Sequence, residues 1–129
     1  MAKKDFSVLI VTPIKTNIKN IQEALQHYGI FNTDSAENPF DAEKMILENK
    51  YDFALIHAEL KGGPFGNSYG FDIADLAKKK KPEIHVIGIC YSDSCELDCA
   101  KRWKEKGYDF LLTPVKYEDI ELIMSNLSL

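Results

Sequence analysis

Short apolar runs set between amphipathic segments constrain this chain more than any other feature. Phe53-Ala54-Leu55-Ile56 and Val8-Leu9-Ile10-Val11 contain no polar residue, and His85 to Cys90 is apolar from Val86 onward. A strand with one wet face alternates apolar and polar residues, whereas an unbroken run marks a strand covered on both faces. Strands of that kind belong to parallel sheets with helices packed on either side. The segments between the runs have the apolar spacing such helices need.

The first strand spans Phe6 to Val11. Thr16 or Asn17 is the residue type that caps a helix, and Ile18, Ile21, Ala24, Leu25 and Tyr28 follow at helical spacing, with Gly29 as the stop. Phe31 to Ser35 is a short second strand at an edge. Asn38 then caps a helix that has Pro39 at its first position and Ala42, Met45 and Ile46 facing inward. The third strand starts from Tyr51. Phe71, Ile73, Ala74 and Leu76 mark a third helix that ends before Pro82, and His85 to Cys90 is the fourth strand. Ser92 to Lys106 makes a fourth helix, with Leu97, Ala100 and Trp103 inward and Gly107 as its stop. Tyr108 to Leu112 is the fifth strand, broken by Pro114. Glu118 to Leu127 closes the chain with Ile120, Ile123 and Leu127 on one face. Five strands alternating with five helices, without repeat or linker, require an α/β fold: one doubly wound parallel sheet between two layers of helices. The expectation is a single domain over residues 1–129, long enough for one substantial core.

Charge and cysteine content exclude several classes of function. A net charge of −4 argues against nucleic-acid binding, which needs a concentrated basic surface. The basic run Lys78 to Lys81 reads as a solvated helix end. The N-terminal apolar stretch is short, β-branched and ends at Pro13, so it is a buried strand and no signal peptide. No segment approaches the roughly 20 apolar residues of a membrane span. Cys90, Cys95 and Cys99 are odd in number and clustered. Their spacing lacks the close pair of a zinc clip, so they read as free thiols packing as small hydrophobes. A cytoplasmic protein without cofactor or metal is expected.

Chemistry in an open α/β sheet sits beyond the carboxyl ends of the strands. His57 stands there after the third strand, with Glu59 two residues on. A loop then carries Gly62, Gly63, Pro64, Gly66 and Gly70. That loop lacks the GK[ST] ending of a phosphate loop and the GxGxxG spacing of a dinucleotide site. A partner-contact role through Gly62, Gly63, Phe65, Gly66 and Tyr69 is the functional reading, because long loops in compact domains are enriched in function.

The order and spacing of these segments resemble the receiver domains of two-component response regulators over essentially the whole chain. EKGYDFLLTPVKYEDIELIM is similar to that family's helix-end glycine, fifth strand, proline turn and fifth helix. LIVTPIKTNIKNIQEALQHYG is similar to its first strand and helix. The resemblance implies a flavodoxin-like (CheY-like) three-layer sandwich with strand order 2-1-3-4-5. It also implies positions for the family's chemistry. The acidic pair that holds magnesium falls on Thr12 and Pro13, the phosphoryl-accepting aspartate on His57, the hydroxyl residue on Cys90 and the lysine on Thr113. Pro114 alone matches, and Phe110 takes the place of the aromatic residue that reorients on activation.

Magnesium needs hard oxygen ligands, and phosphoryl transfer depends on positioning and charge neutralisation. Thr12 offers a neutral hydroxyl and Pro13 neither a ligand nor an N–H. The expectation is therefore a degenerate receiver: not an enzyme, and a phosphorylation-independent protein–protein interaction module in signal transduction. The resemblance implies contact with a signalling partner through the face of the fourth helix, fifth strand and fifth helix, with Phe110, Lys101, Lys104, Tyr117 and Glu121 contributing. A homodimer through the same face is a further expectation. The alternative is a small flavodoxin-like enzyme or redox protein in which His57 activates Cys90 as a thiol nucleophile, or His57, Cys90 and Glu59 ligate a metal. Against that stands the plainer reading, an uncharged imidazole and thiol filling a pocket vacated by acids, since a catalytic or metal site needs more convergent groups.

Overall fold

The computed structural model describes residues 6–57, 70–91, 103–113 and 116–127. Within them lie β1 (Ser7–Val11), α1 (Lys15–Gln26), β2 (Asn32–Ala36), α2 (Pro39–Glu48), β3 (Phe53–His57), α3 (Gly70–Lys80), β4 (His85–Tyr91), β5 (Asp109–Thr113) and α5 (Tyr117–Leu127). Residues 103–105 are also helical and are labelled α4. All strand pairs are parallel, in the order β2-β1-β3-β4-β5. The doubly wound expectation is met.

Side chains alternate across a strand, so each apolar run feeds two cores. Leu9, Val11, Ala54, Ile56 and Val86 project into one, where Ala42 and Ile46 of α2, Ile73, Ala74 and Ala77 of α3, and Trp103 meet them. Val8, Ile10, Leu55, Ile87, Ile89 and Leu111 project into the other, against Ile18, Ile21, Ala24 and Leu25 of α1 and Ile120 and Ile123 of α5. The edge strand β2 is mostly polar, with only Ala36 buried, as suits a strand paired on one side.

Local signals place most helix ends. Asn38 accepts from the Asp41 N–H at 2.9 Å with Pro39 at the first helical position, so the expected cap of α2 is found. Gly29 and Gly107 adopt positive φ of 77° and 81° beyond their helices, where a side chain would strain the backbone. At α1 the expectation fails. The helix begins at Lys15 with Ile14 at the N-cap, and no side chain caps it. Thr16 and Asn17 lie inside the first turn, because burying Ile18 and Ile21 on the sheet sets the helix start ahead of local capping preference. The described helical part of the fourth helix ends at residue 105, and the expected 92–102 portion lies outside the described residues, as do the side chains of Phe71 and Leu127.

Polar ties reinforce the layers. Asp52 accepts from the Ser7 N–H at 2.8 Å and from Lys81 at 3.2 Å, joining the amino ends of β1 and β3 to the residue after α3. Lys81 is thereby drawn out of the solvated run predicted for it. Tyr51, which is buried, donates to Asp34 of β2 at 2.7 Å. Tyr108 donates to Asp75 of α3 at 3.0 Å. Burial first, and then the carboxylate acceptor, raises both phenols above their ordinary value, Tyr108 to about 12. A phenol that resists ionisation in the folded state supports stability fully below the free-tyrosine pKa of about 10, and that support is lost as pH rises through the folded value. The melting temperature is thus expected to fall progressively above about pH 10, and to fall less steeply in Tyr51→Phe and Tyr108→Phe. Circular-dichroism melts across alkaline pH measure this. A parent profile that stays level would contradict it.

Candidate functional site

In the strand order β2-β1-β3-β4-β5 the winding reverses between β1 and β3, and a crevice opens at their carboxyl ends. Val11 pairs with Ile56, and one residue further along the two strands stand Thr12 and His57. Both are buried, at 0% and 1% exposure. The Thr12 N–H donates to Ala36 O at 3.0 Å, and its Oγ1 accepts from the Ile14 N–H at 3.3 Å. Thr12 is thus held by β2 on one side and by the entry to α1 on the other. Pro13 is exposed.

Asn17 also belongs to this neighbourhood, although it entered the sequence reading only as a possible cap. It is 7% exposed on the inward face of the first turn of α1, and its Nδ2 has no hydrogen-bond partner among the described residues. Its spacing from Ile21 and Ala24 was the available signal, since the three share one helical face.

His57 lies opposite Ile89, and Cys90, one residue beyond, lies opposite Leu112 of β5. Thr113 ends β5 opposite Tyr91. The strands therefore gather Thr12, His57, Cys90 and Thr113 at one end of the sheet, where the sequence placed them. The side chains of Cys90 and Thr113 lie outside what is described, as do Glu59, Gly62, Gly63, Phe65, Gly66, Tyr69, Lys101, Pro114, Cys95 and Cys99. Among the described residues no group of three or more His, Cys, Asp or Glu is arranged to hold a metal ion.

The described residues expected on the interaction face make two sets of contacts. The Lys104 ammonium lies 5.4 Å from the Phe110 ring centroid, a cation–π contact on the β5 side of the sheet. Tyr117 packs instead toward α1: it stacks on Tyr28 with centroids 5.7 Å apart and meets His27 edge-on at 5.0 Å. The Tyr28 phenol is raised in pKa by burial, then by the Tyr117 hydroxyl and the Glu121 carboxylate. Tyr117 and Glu121 therefore adjoin the α1–α5 seam. Sequence spacing offered no signal for this seam, since residue 28 lies in the turn after α1 and residue 117 begins α5.

No protein-family model matches the sequence, and neither does any curated protein. Solved structures do match in fold. The chain superposes on NtrX from Brucella abortus, a structure in complex with ATP, with a TM-score of 0.77 at 20% identity, over 95% of this chain and 27% of that one. It superposes on a BeF3-activated DrrB receiver domain with a TM-score of 0.74 at 18% identity, over 95% of this chain and 97% of that one. A response regulator receiver domain protein from Clostridium thermocellum gives a TM-score of 0.76 at 22% identity, over 94% and 92%. The chain spans about a quarter of the NtrX chain and nearly all of the isolated receivers. Its fold is the response-regulator receiver fold, as the sequence resemblance implied. Among the described residues, no helix is long and apolar enough to cross a membrane.

Proposed function

We propose that the chain is a degenerate receiver domain that acts in signal transduction by binding a protein partner, without accepting a phosphoryl group at β3. The observation that carries this reading is the pair of buried positions without a carboxylate at the switch point, Thr12 and His57, with Pro13 beside them. A receiver's chemistry needs carboxylates there, because magnesium takes oxygen ligands and the transferred group must have its charge neutralised. Thr12 offers one neutral hydroxyl, and the side chains of Pro13 and His57 offer no oxygen at all, so no carboxylate is present to hold the metal. The receiver fold supports a signalling role, exercised through surface contact with a partner.

Incubation with acetyl phosphate and magnesium, followed by intact-mass measurement, is expected to show no phosphorylated species. Magnesium at millimolar concentration is expected to leave the melting temperature unchanged, since a ligand stabilises only by binding the folded state preferentially. A phosphoryl adduct on any residue of the crevice would overturn the reading.

Without the chemical bias that phosphorylation supplies, the face around Lys104 and Phe110 rests in one arrangement, and partner binding is governed by partner concentration.

A further inference from the structure

We infer that the first turn of α1 is a binding site for an oxoanion, a phosphate or carboxylate group held by donors that the chain itself leaves unused. The Asn17 Nδ2 is the starting point: a donor on a side chain more than nine-tenths buried, with no hydrogen-bond partner among the described residues. Buried donors are nearly always satisfied, and one that is not calls for an acceptor from outside the chain. Side chains on a helix lean toward its N-terminus, so this amide is directed to the same end as the helix's free N–H groups.

Those groups are left open as well. Ile14 caps the 12-residue helix without a side-chain acceptor. The Asn17 and Ile18 N–H groups return to Ile14 O at 3.0 and 3.3 Å, while those of Lys15 and Thr16 have no partner among the described residues. The first turn carries no acidic residue, and its first position is Lys15. A cation at the positive end of the helix dipole is unfavourable unless an anion joins it. Thr12 adds a hydroxyl whose oxygen already accepts from Ile14 and whose hydrogen is still available to donate.

Other helices of the chain supply their own acceptors. At α2, Asn38 Oδ1 takes the Asp41 N–H at 2.9 Å, and before α5, Asp119 takes the Lys116 N–H at 2.9 Å. At the first turn of α1 the described residues instead bring together unused donors and a cation: two backbone N–H groups, the Asn17 Nδ2, the Thr12 hydroxyl and Lys15. Where a receiver's chemistry calls for a metal cation at the end of β1, the first turn of α1 that follows has the polarity to receive an anion. The inference stands on α1 alone and does not depend on whether position 57 accepts a phosphoryl group.

The test is a titration of the full-length, 15N-labelled chain with potassium phosphate and, separately, potassium acetate. Potassium chloride holds ionic strength constant and pH is fixed. Nuclear magnetic resonance is preferable to melting temperature, because phosphate stabilises proteins generally through exclusion from their surface. Saturable shifts are expected at the Lys15 and Thr16 backbone amides and the Asn17 side-chain NH2. A response to phosphate alone identifies a phosphate-type ligand, and a response to both anions extends the site to carboxylates. Asn17→Asp keeps the shape but replaces the donor with a negative acceptor, and is expected to weaken binding about tenfold or more. Should that variant not fold, the parent titration still decides. Resonances that stay unmoved, or that move equally in chloride, would overturn the inference, and so would a folded Asn17→Asp variant that binds like the parent.

Discussion

Gly88→Ala is expected to destabilise the protein by about 2 kcal/mol or more, lowering the melting temperature by roughly 6 °C or more for a chain of this size. A methyl group on Gly88 would overlap the indole of Trp103, lying 2.5 Å from Cδ2 and 2.7 Å from Nε1 and against Cε2 as well. Real carbon atoms do not approach so closely, and the ring has nowhere to go. Trp103 is 0% exposed and packs with Ile73, Ala74, Ala77 and Val86. Gly88 lies in the middle of β4, paired to Ile56 on one side and Phe110 on the other, so the strand cannot retreat without disturbing both neighbours. Glycine normally weakens a strand; here its missing side chain is the space the indole occupies. Trp103→Ala is expected to cost about 3–5 kcal/mol by opening a cavity. Combining Trp103→Ala with Gly88→Leu should recover part of that loss, giving a favourable coupling in the double-mutant cycle. Urea denaturation followed by circular dichroism measures Gly88→Ala and the three variants of the cycle, Trp103→Ala, Gly88→Leu and their combination. A Gly88→Ala protein as stable as the parent would show that the ring and strand do not meet in solution.

His57→Asp, which places a carboxylate where a phosphoryl-accepting receiver has one, is expected to lower stability by about 3 kcal/mol or more at neutral pH. Position 57 is 1% exposed, and neither Thr12 nor Pro13 offers a positive charge. Burial raises the carboxyl's folded-state pKa above its unfolded value of about 3.9. Between the two values the folded state holds more protons than the unfolded state, so stability falls as pH rises. The deficit should therefore be smallest near pH 4 and grow through neutrality, while His57→Asn, polar but uncharged, shows no such trend. The aspartate variant should also stay unmodified by acetyl phosphate and magnesium, since residues 12 and 13 still provide no carboxylate. Denaturation midpoints of the parent and both variants across pH 4 to 8 decide the matter. An aspartate variant as stable as the parent at neutral pH would mean that the crevice already supplies a counter-charge.

The layered fold was legible in the sequence because it rests on local periodicity. The apolar runs at residues 8–11, 53–56 and 86–89 could only be strands covered on both faces, and the parallel sheet followed from their alternation with helical spacing. Asn38-Pro39, Gly29 and Gly107 acted through the two or three residues beside them, so helix ends there could be read directly. The same local logic misplaced the start of α1. Thr16 and Asn17 have the chemistry of caps, but packing Ile18 and Ile21 against the sheet carried the helix back to Lys15 and left Asn17 inside. The chemical character of the candidate site was visible too, since the absence of acids at positions 12, 13 and 57 is a fact of composition at strand ends. What only the tertiary structure decided are the pairings between distant elements. Tyr51 bonds Asp34, Trp103 fills the space over Gly88, Tyr117 stacks on Tyr28, and an orphaned amide shares the first turn of α1 with unused backbone donors. Periodicity says which face of an element is buried; which residue it meets there depends on sheet register and helix placement, and those are properties of the assembled layers.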